Sequence, residues 1–331
     1  MPKEWTPDAL LEMGRAFQPA CVLGAAADLD LFAALGDEAM TARALAAKMD
    51  TDVRATTILL DVLASIGLLS KEGERYRVPP SIRDTLTEGG SRSILAMARH
   101  AAHILRRWAL LAEVVKTGKL PGDVPSFLGE AGETAAFIGA MDNISRPMAP
   151  KLVEKLQPLR FRHLLDVGGA SGTWTLAFLA AVPGARATLF DLPDVVPFAE
   201  RRLAEAGMKD RVTLVSGDFY EDPLPQGADF VWLSAIVHQN SREQNRALYA
   251  KIFAALTPGG TLMIRDIVMD PTRTRPVAGA FFAVNMLVNT ESGGTFTLEE
   301  LSEDLLAAGF REPTLLVEGE WMDSVVRARR P

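Results

Sequence analysis

The chain has 331 residues, of which 48% are hydrophobic and 23% charged. That balance belongs to a globular protein of two domains, or one large domain with an extension, and excludes a disordered, collagen-like or fibrous chain. The net charge of −7 speaks against nucleic-acid binding, and the one cysteine, Cys21, forms no internal disulfide and suits a reducing, cytoplasmic setting.

The first part of the chain reads as helical. Residues 9–35 are rich in alanine and leucine, with Pro19 as an interruption. Residues 41–49 predict a short helix capped by Thr41. Residues 52–69 predict a longer one, with Ile58, Leu59, Val62, Leu63 and Ile66 at helical spacing. Residues 71–78 read as a tight hairpin ending at Pro79 and Pro80. Helix, turn, helix, hairpin is the order of a winged helix. Residues 41–80 nevertheless hold six basic and five acidic side chains, and only Arg54 and Asp61 are charged between 53 and 69. A groove-reading helix needs polar side chains for base edges and phosphates. This one is apolar and is expected to pack against protein. Residues 91–156 are again helical, broken at 121–125 and punctuated at the end by Pro147, Pro150 and Pro158. Residues 1–10 lack the pattern of a signal peptide. The longest uncharged stretch, 167–185, contains Gly168, Gly169, Gly172, Pro183 and Gly184, which suits a turn-rich unit rather than a membrane span.

From Phe161 onward the period changes. Strands are expected at 163–167, 187–191, 212–216, 230–233 and 261–268, alternating with helical segments. That order implies an α/β fold, a parallel sheet with helices on both faces. Two further strands, 314–318 and 321–327, leave no room for a helix between them and should pair antiparallel at the end of the sheet.

The strongest chemical signal is an apolar strand that runs through Asp166 into Gly168-Gly169-Ala170-Ser171-Gly172 and then a helix. The spacing matches neither the dinucleotide fingerprint nor a Gly-Lys-Ser/Thr phosphate loop. An acid beside the turn suits a cationic or amine-bearing ligand better than a pyrophosphate. Asp191, at the end of the next strand, can accept both hydroxyls of a ribose. Asp218, at the end of the third, can accept from an adenine amino group while Phe219 covers the ring. His238 follows the fourth strand. An imidazole there can take the proton of an attacking hydroxyl. His100 and His103 lie three apart with no cysteine or carboxylate cluster, and no metal site is expected.

Asp-Val-Gly-Gly-x-x-Gly, Asp-Leu-Pro, Gly-Asp-Phe, a histidine after the fourth strand and Leu-Thr-Pro-Gly-Gly together resemble the S-adenosylmethionine-dependent O-methyltransferases with an N-terminal winged-helix dimerisation domain. That family includes plant caffeate and flavonoid, acetylserotonin and bacterial natural-product enzymes. The resemblance covers nearly the whole chain. It implies a Rossmann-like seven-stranded sheet with a reversed last strand at 101–331, with a helical substrate-pocket segment at 101–157. It also implies a winged-helix dimerisation domain at 1–100, an interlocked homodimer, and S-adenosylmethionine as cofactor with S-adenosylhomocysteine as product. Gly168, Gly169 and Gly172 would line the methionine part, Asp191 the ribose, and Asp218 with Phe219 the adenine, with Leu192 also counted among the cofactor positions. Ser234 is counted with the cofactor positions, Arg146 is a candidate partner for the methionine carboxylate, and His238 would be the base.

The chain departs from the family near that base. Relatives carry His-Asp-Trp where this chain has His238-Gln239-Asn240, and the lysine often found four residues earlier is Ser234. The position of the plant-type orienting glutamate is Thr295, and the nearest acid is Glu291, taken as its substitute. Trp108, Met141, Phe281, Phe282, Met286 and Asn289 are the acceptor-pocket candidates. The leading expectation is methylation of a hydroxyl on a small aromatic or natural-product acceptor, with no nucleic acid and no membrane as partner. The alternatives are a same-fold enzyme acting on nitrogen, sulfur or carbon, or without methylation, and a winged-helix regulator.

Overall fold

A computed structural model describes residues 5–120, 122 and 124–331. The first four positions of the N-terminal stretch and two of the break at 121–125 thus lie outside the described residues. The chain divides into two units, Met1–Ala109 with Asp123–Asn143, and Leu110–Gly122 with Ile144–Pro331.

The first unit is helical around a small sheet. Its elements are α1 (Pro7–Arg15), α2 (Phe17–Asp28), α3 (Leu31–Leu35), β1 (Met40–Thr41), α4 (Ala42–Met49), α5 (Val53–Ser65), β2 (Ser70–Glu72), β3 (Arg75–Arg77), α6 (Pro80–Leu86) and α7 (Leu95–Trp108). The first break falls at Ala16 and not at Pro19. Pro19 sits in the opening turn of α2, where an absent N–H forfeits no helical bond. Thr41 caps α4 as its sequence predicts, accepting from the Ala44 N–H at 3.3 Å. Asp52 caps α5 through the Ala55 N–H at 2.8 Å. The helix stops at Ser65, and its buried line is Thr56, Leu60 and Leu63, while Ile58 and Ile66 are exposed. Both stripes have helical spacing; packing against α2, α4 and β2 selects the first. The predicted hairpin forms as β2 and β3, with β1 added to the other edge of β3. Leu31, Phe32, Leu35, Leu45, Leu60, Leu63 and Tyr76 make the core of this unit.

α8 (Leu111–Thr117) belongs to the second unit, and α9 (Gly129–Lys155) carries the chain from one unit into the other. Pro147 and Pro150 lie inside α9 rather than at its end; only Pro158 follows it. Each removes the helical bond to the carbonyl four residues earlier, at Asn143 and Arg146. The first of these carbonyls belongs to the last residue of the first unit.

The second unit continues with β4 (His163–Val167), α10 (Thr173–Ala181), β5 (Arg186–Asp191), α11 (Val196–Glu205), β6 (Val212–Ser216), β7 (Ala228–Ser234), α12 (Arg242–Ala255), β8 (Leu256–Asp266), β9 (Val268–Met269), α13 (Val277–Asn289), β10 (Phe296–Thr297), α14 (Leu298–Ala307), β11 (Arg311–Val317) and β12 (Ser324–Arg329). The seven-stranded order is β6-β5-β4-β7-β8-β12-β11, parallel from β6 to β8, with β12 antiparallel to both neighbours. The reversed strand therefore stands where the resemblance implies. Several strand bounds differ from those read in sequence, those of β7, β11 and β12 among them. β8 starts earlier, at Leu256, and Val268 leaves it to pair with β10. The final strand starts at Ser324, with Trp321 exposed before it. Alternating side chains feed two cores. Leu165, Val167, Leu233 and Ile264 face one, and Leu164, Phe178, Leu189, Trp232 and Met263 the other. Among the described residues, no helix is long and apolar enough to cross a membrane.

Candidate active site

Asp166, Asp191, Asp218, Ser234 and His238 sit at or just beside the ends of parallel strands. Ligands of open α/β sheets bind outside those carboxyl ends. β4 delivers its chain into the glycine turn. Gly168 and Gly172 have φ of +70° and +75°, in the left-handed region that glycine enters without strain. Gly169 is required for a different reason: a Cβ there would stand 2.6 Å from Leu189 Cγ. The turn is tied to β5 twice. The Gly168 N–H donates to the Phe190 carbonyl at 2.8 Å, and the Ala170 N–H to Asp191 Oδ2 at 2.7 Å. Asp191 Oδ1 accepts from the Leu192 N–H at 2.8 Å, and Leu192 itself is exposed at the strand end. Burial raises the Asp191 carboxyl above its usual range, against the opposing pull of those two N–H donors.

Asp166 lies beneath the turn, not open beside it. It is 1% exposed and accepts from Thr175 Oγ1 at 2.6 Å. Burial pushes its carboxyl up to about 7, with the Thr175 hydroxyl opposing and Asp191 adding to the rise. The folded protein thus holds a proton up to about pH 7 that the unfolded chain releases near pH 4, so stability falls as pH rises through that window. Asp166→Asn keeps an acceptor for Thr175 and removes this slope. The stability of the variant relative to wild type should rise by about 2 kcal/mol between pH 5 and pH 8. Urea melts at the two pH values check this; a pH-independent difference would remove the raised carboxyl from the account.

Asp218 follows β6. Its Oδ1 accepts from the Tyr220 N–H at 2.8 Å, and its own N–H donates to Asp222 Oδ2 at 2.8 Å. The Phe219 ring comes to 3.8 Å from where a Cβ on Gly168 would stand, so β6 and the glycine turn meet at that ring. Lys251 Nζ holds this loop by donating to the carbonyls of Phe219, Tyr220 and Asp222 at 3.0, 2.6 and 3.1 Å.

His238 sits in a short 3-10 turn after β7 and is 8% exposed. Its Nδ1 is 3.0 Å from both carboxylate oxygens of Asp266, the last residue of β8. Its backbone N–H also donates to Asp266 Oδ2, at 3.3 Å. A carboxylate only accepts, so Nδ1 carries the hydrogen and Nε2 keeps its lone pair. The Phe282 ring stands edge-on to the imidazole, with centroids 4.8 Å apart. Sequence reasoning missed Asp266. The available signal was an acid that ends the fifth apolar strand, as Asp191 ends the second. Glu291 is exposed, and the carboxylate that meets the ring is that of Asp266. The Ser292-Gly293-Gly294 segment supports the histidine through its backbone: the Gly294 N–H donates to the His238 carbonyl at 2.8 Å. A Cβ on Gly293 would stand 2.5 Å from that same oxygen.

The departures after His238 have local partners. Asn240 is fully buried, bonded to Tyr220 Oη and, at 3.0 Å, to Asn245 Oδ1. Gln239 Nε2 donates to the same Tyr220 oxygen at 3.3 Å. Ser234 ends β7 and accepts from Arg265 Nη1 at 2.9 Å. Of the acceptor candidates, Phe282 and Met286 lie on α13, Met286 buried, while Phe281 on that helix is exposed. Asn289 donates back to the Asn285 carbonyl at 2.7 Å. Trp108 and Met141 belong to the first unit, each half-buried. Among the described residues, no cluster of three or more His, Cys, Asp or Glu side chains gathers to hold a metal.

This geometry agrees with the similarities to known proteins. The O-methyltransferase domain model matches residues 127–311, and the O-methyltransferase dimerisation domain model matches residues 14–81. The chain is 32% identical to the tetracenomycin polyketide synthesis 8-O-methyl transferase TcmO of Streptomyces glaucescens, over 98% of this chain and 97% of that protein. It is 28% identical to the N,N-dimethyltransferase OxyT of Streptomyces rimosus, over 92% and 90% of the two chains. The structure of human N-acetylserotonin methyltransferase in complex with SAM superposes with a TM-score of 0.80 at 25% identity, over 100% of this chain and 99% of that one.

Proposed function

Because the chain belongs to the O-methyltransferase family and is an S-adenosylmethionine-dependent methyltransferase, we propose that it methylates a hydroxyl of a small aromatic or natural-product acceptor with His238 as general base. The donor supplies an electrophilic methyl group on a sulfonium. The residues at the strand ends suit it. Each Asp191 oxygen accepts one backbone N–H and keeps a lone pair for a ribose hydroxyl. Asp218 keeps one oxygen for an adenine amino group, with Phe219 and Leu192 as apolar cover.

The observation that carries the reading is the His238–Asp266 pair, which leaves Nε2 as the acceptor for a proton. A phenol has a pKa of about 10 and is mostly protonated at neutral pH, so its oxygen attacks faster when a base removes the proton. Phe282, edge-on to the imidazole, supplies an apolar surface for the acceptor ring. The similarity to OxyT favours a second reading, transfer to an amine nitrogen, whose lone pair attacks without prior deprotonation. Incubation with isotope-labelled donor and matched phenol and aniline acceptors separates the two. Label on oxygen supports the first reading; label on nitrogen alone overturns it.

The working unit we propose is a homodimer through the N-terminal helices. Its support is the dimerisation-domain match together with α1, a capped helix with no buried residue. Trp5, Leu10, Leu11, Met13 and Phe17 are exposed on or beside it. A helix of this length is marginal in water without a partner surface. Leu11→Glu combined with Phe17→Glu is expected to shift the light-scattering mass from dimer to monomer; an unchanged dimer places the interface elsewhere. Cys21 is an exposed free thiol, which a reducing compartment preserves, and on that ground we place the enzyme in the cytoplasm.

A further inference from the structure

The face of the sheet opposite His238 holds a buried cation that the chemistry above does not use. Arg265 precedes Asp266 on β8, so the two side chains leave opposite faces of the sheet. Arg265 is 2% exposed. Its guanidinium carbon stands 4.7 Å from the centroid of the Trp174 ring, Nη2 is 3.5 Å from the Met148 sulfur, and Nη1 donates to Ser234 Oγ at 2.9 Å. No ion pair forms within 4.0 Å of it among the described residues, and Nε has no acceptor. Trp232 Nε1, two residues before Ser234 on the same face of β7, is a second buried donor without an acceptor. Burial lowers the guanidinium to about 10, with Asp266 and Asp323 opposing at longer range. A guanidinium taken out of water is unfavourable unless an anion compensates it.

Ser234 is the hydrogen-bond acceptor of this cation. It pairs in register with Arg265, and its neighbour Leu233 pairs with Val167, the residue before the glycine turn. An arginine only donates, so Ser234 Oγ is its acceptor and the serine hydrogen is left to donate in turn. We propose that Arg265, acting through Ser234, is a positioning residue that supplies the positive charge for the α-carboxylate of the donor's methionine moiety. The inference rests on the donor-site reading above and assigns one half of that site. The cation enters from β8, and a serine on β7 relays it to the glycine turn.

The test is calorimetry with two ligands on the full chain. One is S-adenosylhomocysteine. The other is S-adenosyl-3-thiopropylamine, which keeps the adenosine, sulfur and amine and lacks only the carboxylate. Ser234→Ala and Arg265→Met are each expected to weaken S-adenosylhomocysteine binding by about tenfold or more. Both should leave the decarboxylated ligand within about twofold of wild type. Arg265→Lys should recover part of the loss, because it keeps the charge without the fork. Ser234→Ala removes one oxygen and decides the question if Arg265→Met fails to fold. Equal loss for both ligands would show a packing role and overturn the proposal. So would unchanged binding of both, the result expected if Arg146 alone holds the carboxylate. A wild-type chain that binds neither ligand overturns the donor site itself, and this inference with it.

Discussion

Replacing His238 by alanine is expected to lower methyl transfer to a phenol by about 10²–10⁴-fold, the usual contribution of a general base, while S-adenosylhomocysteine binds as in wild type. The two effects separate because His238 hangs from β8 through Asp266, whereas the glycine turn is tied to β5 through Asp191. Asp266→Asn sharpens the argument. An asparagine can turn its amide N–H₂ toward the ring, which makes Nδ1 the acceptor and puts the hydrogen on Nε2. The shape survives and the base is lost, so turnover with a phenol should fall by about the same factor. An acceptor already ionised at the assay pH should lose much less with either variant. Unchanged turnover in His238→Ala with a neutral phenol would mean that positioning alone suffices, since in-line methyl transfer draws much of its rate from alignment.

The second large effect is expected at Asp191. Asp191→Ala should weaken S-adenosylhomocysteine binding by about 10²-fold, the sum of two hydrogen bonds to a charged acceptor. The side chain has one observed task and one proposed task. It accepts the Ala170 and Leu192 N–H groups, which hold the turn at its strand, and it keeps lone pairs for ribose. Separating them requires a ligand without the ribose contact. Asp191→Ala should bind 2′-deoxy and ribo forms of S-adenosylhomocysteine alike, whereas wild type should prefer the ribo form about tenfold. A wild type that does not distinguish them would move the ribose away from Asp191.

Much of the candidate donor site was legible in the sequence. Strand-ending acids and a glycine turn are local features, each spanning fewer than ten residues, and the period change at Phe161 announced the sheet that aligns them. The candidate acid–base site was only half legible. His238 stands out because an imidazole after a parallel strand is conspicuous; its partner does not, because Asp266 is 28 residues away and ends a different strand. α5 teaches the same lesson in the first unit. Ile58 and Ile66 have the spacing of a buried stripe, and so do Thr56, Leu60 and Leu63, which packing selected.

The sequence by itself determined the alternation of strands and helices, the places where glycine is needed, and the chemistry available at each strand end. Only the tertiary structure decided which groups meet. Register between β7 and β8 sets Arg265 on Ser234, and the side-chain alternation along β8 sends Asp266 to the opposite face, toward His238. The physical reason is that hydrogen bonds and charge pairs depend on distances of about 3 Å, and between parallel strands those distances are set by a ladder whose register no short stretch of chain encodes.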